Sequence, residues 1–396
     1  MKPLTVMLVA GEASGDTLGA GLAAALRRRL GDRVRFVGIG GAKMAEQGIV
    51  SPFDIAELSI LGFVDALLAY GRVKKRIADA VVLAEREQPD VAVLIDSWGY
   101  TVRVAQALRK RMPGVLLVKY VAPQVWASRP KRARVLAGSV DHLLAIHAFD
   151  APWFEKEGLP TTFVGNPALA TDFSQADGGR FRASIGADEG DPVLLVLPGS
   201  RPGEVKRLTP VFEDALRRLK ENRPRLKVAV VAADTVKDAV RAWTAGLPFR
   251  AELVEGEAAK RDAMKAATVA LACSGTVSTE LALAGAPMVI AYRFGPVTHA
   301  IAKRIITTPW ATLFNIAARD HVAPEFIQQE ATGENLAAAV AERLDDPELR
   351  ANQVWRQDAA LELMGRGGED PSEKAAEAIV SLLTRERKQT GEGDRP

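Results

Sequence analysis

The sequence predicts an α/β protein made of two doubly wound halves, and three observations lead there. Short apolar, β-branched runs alternate with amphipathic helical stretches almost throughout, which is the grammar of βαβ units and parallel sheets. The same alternation starts afresh after a polar, glycine-containing stretch at 172–191. The chain also has 396 residues, more than one ordinary core accommodates. Its composition, 48 % hydrophobic and 26 % charged, is that of a globular protein rather than a disordered one.

Taken in order, residues 4–10 read as a strand buried on both faces. A polar turn follows, Gly11-Glu-Ala-Ser-Gly-Asp16, and a helix from about Thr17 carries Leu18, Leu22, Ala25 and Leu26 at helical spacing. Further strands are expected at 35–39, 91–95, 116–120, 143–146 and 162–164, with a helix at 100–111 among them. The stretch 172–191 reads as an interdomain linker. The second half gives a strand at 192–197, the loop Pro198-Gly-Ser-Arg-Pro-Gly203 and a helix at 205–222. Strands at 227–231, 269–272 and 288–292 follow, and helices at 335–344 and 372–383 close the chain. Ligands of open α/β sheets bind at the carboxyl ends of the strands, so two such halves facing each other would bring both sets of loops to one cleft.

The bulk numbers exclude several classes. A formal charge of +3, from 52 basic and 49 acidic residues, is too small an excess to argue for nucleic acid. It still permits attraction to an anionic lipid surface where basic residues cluster. The single Cys273 excludes an internal disulfide and suits a reducing compartment. No segment approaches the ~18 uninterrupted apolar residues of a spanning helix. The first apolar run is short and leads directly into the Gly11–Asp16 turn, so a cytoplasmic protein without a cleaved signal is expected, and 384–396 reads as a frayed tail.

Several constellations can carry chemistry. The opening turn (Glu12, Ser14, Gly15, Asp16) is acidic and matches neither the dinucleotide nor the P-loop glycine pattern. It is a poor phosphate cradle and a better grip on sugar hydroxyls. Asp96 ends the run at 91–95, where a carboxylate is either a helix cap or a base that accepts a proton as a new bond forms. Arg201, after Gly199 and Ser200, is either a surface arginine in a tight turn or a forked partner for a diphosphate. Ser274, Gly275 and Thr276 open a helix whose first amides attract anions. Glu280, on that helix, complements its dipole or binds paired sugar hydroxyls. Asn315 sits among apolar neighbours and could orient a substrate. The four histidines lack metal-ligand spacing, and no metal or other cofactor is expected. Finally, 58–64 (with Ile60, Leu61, Phe63 and Val64) runs into basic Lys74 and Lys75, and 294–310 is similarly apolar and basic. Both are either ordinary amphipathic helices or segments that lie in a membrane interface.

One set of segments occurs in a telling order: Gly11-Glu-Ala-Ser-Gly-Asp16, Phe36-Val-Gly-Ile-Gly-Gly41, Leu58-Ser-Ile-Leu-Gly62, Tyr120-Val-Ala-Pro-Gln-Val-Trp126, Phe163-Val-Gly165, Leu197-Pro-Gly-Ser-Arg201 and Ser274-Gly-Thr276 with Glu280. In this order the chain resembles the lipid-A-disaccharide synthases over nearly its whole length. The resemblance implies a GT-B glycosyltransferase with two Rossmann-like domains. Residues 1–172 would form the acceptor and membrane domain, completed by helices at 350–384, and 190–345 the UDP-sugar domain, with 385–396 a flexible tail. The implied reaction joins UDP-2,3-diacylglucosamine to 2,3-diacylglucosamine 1-phosphate (lipid X), releasing UDP and forming a β-1,6-linked disaccharide 1-phosphate with inversion. It also implies contact with the cytoplasmic face of the inner membrane and a homodimer formed through the C-terminal helices.

Residue by residue, the resemblance makes Asp96 the general base. It gives Gly199, Ser200, Arg201, Ser274, Gly275, Thr276, Glu280 and Asn315 to the UDP-sugar, and Glu12, Ser14, Gly15 and Asp16 to the acceptor side. The chain departs from the family pattern where Ser97-Trp-Gly-Tyr100 replaces a second acid after Asp96, where Asn166 replaces a histidine, and where Phe314 replaces a proline before Asn315. Alternatives are another UDP-sugar enzyme of this fold, such as an epimerase or a peptidoglycan-type glucosaminyltransferase, and a two-lobed binding protein without catalysis.

Overall fold

The structure is a computed structural model that describes residues 3–58, 63–295, 306 and 308–389, with backbone alone at 63–70 and 386–389. It divides into two units, Met1–Pro167 with Gly367–Pro396, and Ala168–Arg366.

The first unit is a six-stranded sheet in the order β2-β1-β3-β4-β5-β6. Its strands are β1 (Leu4–Ala10), β2 (Val34–Ile39), β3 (Val91–Ile95), β4 (Leu116–Tyr120), β5 (His142–Ala145) and β6 (Thr161–Phe163), all parallel. The uninterrupted apolar runs form strands because both faces of the sheet are covered. Met7, Val9, Ala92 and Leu94 pack on one face with Ala80, Val104 and Leu108. Val6, Leu8, Val91 and Val93 pack on the other with Leu22, Leu26, Ala375 and Ile379. Successive residues of a strand thus feed opposite cores. Each fully buried Leu, Ile or Val contributes about 1.5–3 kcal/mol.

The second unit repeats the plan in the order β12-β11-β10-β7-β8-β9. Here β7 is Val193–Leu197, β8 Lys227–Ala232, β9 Glu252–Glu255, β10 Val269–Cys273, β11 Met288–Tyr292 and β12 Glu325–Ile327, again all parallel. Leu194, Val196 and Leu271 meet Leu208, Phe212 and Leu336 on one side. Val193, Leu195 and Ala270 meet Phe181, Met264 and Leu361 on the other.

The stretch 172–191 is not a bare linker. It contains the helix Gly178–Ser184, and Phe181 and Ile185 join the second core; two apolar residues four apart supply a stripe wide enough to dock a short helix. The first helix begins at Ala13 rather than near Thr17, so Ser14, Gly15 and Asp16 belong to its first turn. Of the closing helices, Pro347–Leu363 packs in the second unit through Ala360 and Leu361. Only Pro371–Gln389 covers the first, burying Ala375, Ala376 and Ile379 against the Ala13–Leu30 helix. Glu373 ties it there, at 2.6 Å from Arg28 and 2.9 Å from Arg29. That helix continues through 384–389, where a frayed tail was expected. The short edge strands β9 and β12 have no counterpart in the sequence reading.

Candidate active site

In each sheet the strand order reverses at one place, between β1 and β3 in the first unit and between β7 and β10 in the second. The chain leaves neighbouring strands there in opposite directions and opens a crevice at their carboxyl ends. Gly11, Asp96, Gly199, Ser200, Arg201, Ser274 and Gly275 fall on the loops beside these two reversals.

At the first edge, Gly11 follows β1 and Asp96 follows β3. A Cβ on Gly11 would come within 2.7 Å of the Ser97 hydroxyl and 3.1 Å of the Tyr100 ring, so only glycine lets the two loops touch. Asp96 and Ser97 both take left-handed backbone angles, φ 47° and 39°, an uncommon conformation for residues with a Cβ. The turn is pinned from several sides. The Asp96 amide donates to the Tyr120 carbonyl at 2.9 Å. The Asp96 carbonyl accepts from the Thr101 hydroxyl at 2.6 Å and from the Lys119 ammonium. The carboxylate accepts from Ser14 Oγ at 3.1 Å. Glu12 caps the first helix in an extended conformation. Burial and the neighbouring Asp96 carboxylate push its pKa up, while the Ser97 amide and Lys119 work against them.

Asp16 does not belong to this group. It is 4 % exposed, and its carboxylate accepts the amides of Gly41 (2.7 Å), Lys43 (2.9 Å) and Met44 (3.0 Å). Those are the orphan donors at the start of the Ala42–Glu46 helix, so Asp16 braces the loop after β2 and is not an acceptor ligand. Gly15 is a packing residue as well. A Cβ there would lie 3.2 Å from that of Ala10.

At the second edge, a cavity of about 220 Å³ is lined by Gly199, Ser200, Glu204, Asp234, Lys260, Ser274, Gly275, Thr276 and Glu280, among others. Gly199 has φ 115°, and a Cβ on it would meet Glu204 at 2.9 Å. Glu204, 5 % exposed, organises the loop. Its carboxylate accepts the amides of Ser200 and Arg201 at 3.3 Å each and the Arg201 guanidinium at 3.0 Å. The Ser200 and Arg201 amides are therefore engaged internally, and the Arg201 side chain, 78 % exposed, stands outside the cavity lining.

The other element lining this cavity is the helix Thr276–Leu283. It is capped by Gly275, with no side chain on its first amides. Lys260 faces it, 3.0 Å from Glu280 and 2.8 Å from Glu257. Burial opposes its charge, but the bonds to Glu257 and Glu280 outweigh it and its pKa is raised. Cys273 lines the cavity as a buried thiol. Burial, with Glu204 beside it, pushes its pKa up to about 12.

Asn315 is not at this cavity. It is 0 % exposed. Its amide nitrogen donates to the Ala323 carbonyl at 2.9 Å, and its oxygen accepts from the Val322 and Ala323 amides at 2.9 and 3.1 Å. It is a structural brace.

Of the expected membrane residues, Ile60 and Leu61 lie outside the described residues, and Phe63 and Val64 are described in backbone only, in the helix Phe63–Glu87. Lys74 and Lys75 on that helix are exposed. Arg76 is held inward by Glu57 and Asp79. Within the second apolar segment, 296–305 lies outside the described residues. Among the described residues no helix is long and apolar enough to cross a membrane, and no group of three or more His, Cys, Asp and Glu is placed to hold a metal.

Sequence reasoning missed three residues. Glu204 was signalled by its place three residues after the cap Arg201, where a glutamate closes a capping box. Lys119 was signalled as a lysine inside the apolar run Leu116–Tyr120. Lys260 carried no signal in its helix.

The family model for lipid-A-disaccharide synthetase matches residues 6–379. The chain belongs to this family. It is 42 % identical to the lipid-A-disaccharide synthase of Rhodospirillum centenum over 389 residues, 97 % of this chain and 96 % of that one. It is 39 % identical to that of Paramagnetospirillum magneticum over 98 % of this chain and 99 % of that one. Among solved structures, it resembles the UDP-GlcNAc 2-epimerase from Neisseria meningitidis bound to UDP-GlcNAc (TM-score 0.61, 12 % identity, 96 % of this chain and 100 % of that one). It also resembles the glycotransferase of kitacinnamycin (TM-score 0.61, 18 % identity, 97 % and 100 %). These likenesses establish the GT-B fold, and family membership makes the chain a glycosyltransferase of lipid A biosynthesis.

Proposed function

We propose that this chain joins UDP-2,3-diacylglucosamine to 2,3-diacylglucosamine 1-phosphate, forming the β-1,6-linked disaccharide 1-phosphate and UDP. The observation that carries the reading is the Asp96 carboxylate, fixed at the strand-order reversal of the first sheet by Ser14 and by a pinned left-handed turn. The acceptor's 6-hydroxyl oxygen attacks the anomeric carbon, the bond from that carbon to the UDP oxygen breaks, and Asp96 takes the hydroxyl proton. Such general-base help is worth about 10²–10⁴-fold. The transition state carries oxocarbenium character, by analogy with glycoside hydrolysis.

UDP sits in the cavity of the second unit, its diphosphate at the Thr276–Leu283 N-terminus and its ribose hydroxyls at Glu280, which Lys260 orients. Arg201, exposed and tethered to Glu204, reaches the diphosphate from the rim. Glu12 and Ser14 contact the acceptor.

The acyl chains of both substrates call for a lipid surface. The cytoplasmic face of the inner membrane, met by residues 60–64 with Lys74 and Lys75, supplies it. A homodimer exchanging the Pro371–Gln389 helix would keep the contacts that helix makes here on its own chain.

The test is UDP release from UDP-2,3-diacylglucosamine with and without lipid X, with the lipid product identified by mass. Acceptor-dependent release with a disaccharide product is expected. Release that ignores the acceptor, or an epimerised donor, refutes the reading.

A further inference from the structure

β4 carries a lysine where the fold wants an apolar residue. Every residue of Leu116–Tyr120 is buried, Lys119 is 1 % exposed, and it stands in register with Leu94 of β3. Burying an ammonium there costs stability that a methionine of the same length would not, so its charge and donors need an occupation. Both are accounted for. Its Nζ donates to the Asp96 carbonyl and, at 2.8 Å, to the Thr101 hydroxyl, which in turn donates to that same carbonyl at 2.6 Å. Asp96 and Ser97 are held left-handed directly above this junction, a conformation that persists only when its surroundings over-determine it. The charged groups facing Lys119 come from two neighbouring elements: Asp96 after β3 and Glu12 after β1. One ammonium thus lies beneath two carboxylates, and burial holds its pKa down to about 7 against their attraction.

We propose that Lys119 is a positioning residue for the transfer, holding the Asp96 turn by its carbonyl and balancing the Asp96 and Glu12 carboxylates from inside the sheet. The proposal rests on Asp96 being the base, and it adds that the base is aimed and charge-balanced by a residue no substrate touches.

The test is steady-state kinetics of the full chain at one neutral pH for Lys119→Met, Lys119→Arg and Thr101→Val, beside Asp96→Asn. In Lys119→Met, kcat should fall about 10–100-fold, with KM for both substrates within about twofold. Lys119→Arg, which keeps the charge and the donors, should bring kcat back to within about threefold of the parent.

A Lys119→Met enzyme with parental kcat overturns the proposal. So does a Lys119→Arg enzyme as impaired as Lys119→Met, or a Lys119→Met enzyme whose KM rises as its kcat falls, as mere loss of packing would give. If Lys119→Met does not fold, Thr101→Val decides. Removing one acceptor and keeping the charge should lower kcat about 3–10-fold with KM unchanged, and unchanged kcat overturns the proposal. The two readings fail separately. Normal turnover by Asp96→Asn overturns the base assignment and the proposal with it, whereas a dead Asp96→Asn beside a parental Lys119→Met overturns the Lys119 inference alone.

Discussion

Asp16→Asn separates a structural carboxylate from a ligand-binding one. In the folded protein Oδ1 of Asp16 accepts the Gly41 and Met44 amides and Oδ2 accepts that of Lys43, all within 2.7–3.0 Å. Asparagine keeps one oxygen for the first two amides and turns an NH₂ toward the third, setting donor against donor. One charge-assisted bond is lost, at about 1.5–3 kcal/mol, and the remaining two lose their charge. A destabilisation of about 3 kcal/mol follows, and Asp16→Ala, which strands all three amides, should cost about 4 kcal/mol. For a unit of this size about 2–4 °C accompanies each kcal/mol, so the unfolding of the first unit should fall by roughly 6–12 °C in Asp16→Asn. Scanning calorimetry of the full chain reads the shift, and kinetics below the transition should give a KM for the acceptor within about twofold of the parent. Parental melting with an acceptor KM raised more than about tenfold would refute this account and return Asp16 to the acceptor site.

Three further outcomes are expected. Lys260→Met leaves Glu280 and Glu257 without their cation in the cavity, and should weaken UDP binding about 10–100-fold by titration calorimetry; unchanged affinity would show that the Lys260 pair does not order the nucleotide site. Reversing Lys74 and Lys75 to glutamate should remove about 1 kcal/mol of lipid attraction per charge lost, visible as reduced sedimentation with anionic vesicles; parental sedimentation counts against this helix as the membrane contact. Asp150 is buried and accepts from Trp126 Nε1 at 2.8 Å, and burial raises its pKa to about 7 despite the bonds from Trp126 and His147. A carboxyl raised on folding gives stability that is full below its unfolded pKa near 4 and lost as pH rises to about 7. Asp150→Asn, which keeps the oxygen for Trp126, should therefore gain on the parent in urea unfolding as pH rises through that window, and a constant difference would refute it.

Most strands were legible in the sequence because a strand buried on both faces must be a short unbroken apolar run; β3, β4 and β11 lie on the residues such runs mark. β9 and β12 were not legible. They are short and half-buried at the sheet edges, so one neighbour shapes them and little hydrophobic pattern results. The loops beside the strand reversals were readable too, since Gly11, Asp96, Gly199 and Ser274 sit where a strand run stops.

What a polar side chain does there was decided only in three dimensions. Asp16 was read as a ligand because its turn is acidic and follows a strand, and Asn315 because it is an amide among apolar residues. Asp16 caps a helix 25 positions away, and Asn315 braces the turn at Val322–Ala323. Lys119, a lysine inside a strand, became intelligible only when β3 brought the Asp96 carbonyl to its ammonium. Hydrophobic periodicity is local, so the sequence by itself determined the buried strands and the two-unit plan, and the ordered motifs determined the family. A hydrogen bond needs its partner within about 3 Å, and for these side chains the partner arrives only when distant strands are laid side by side.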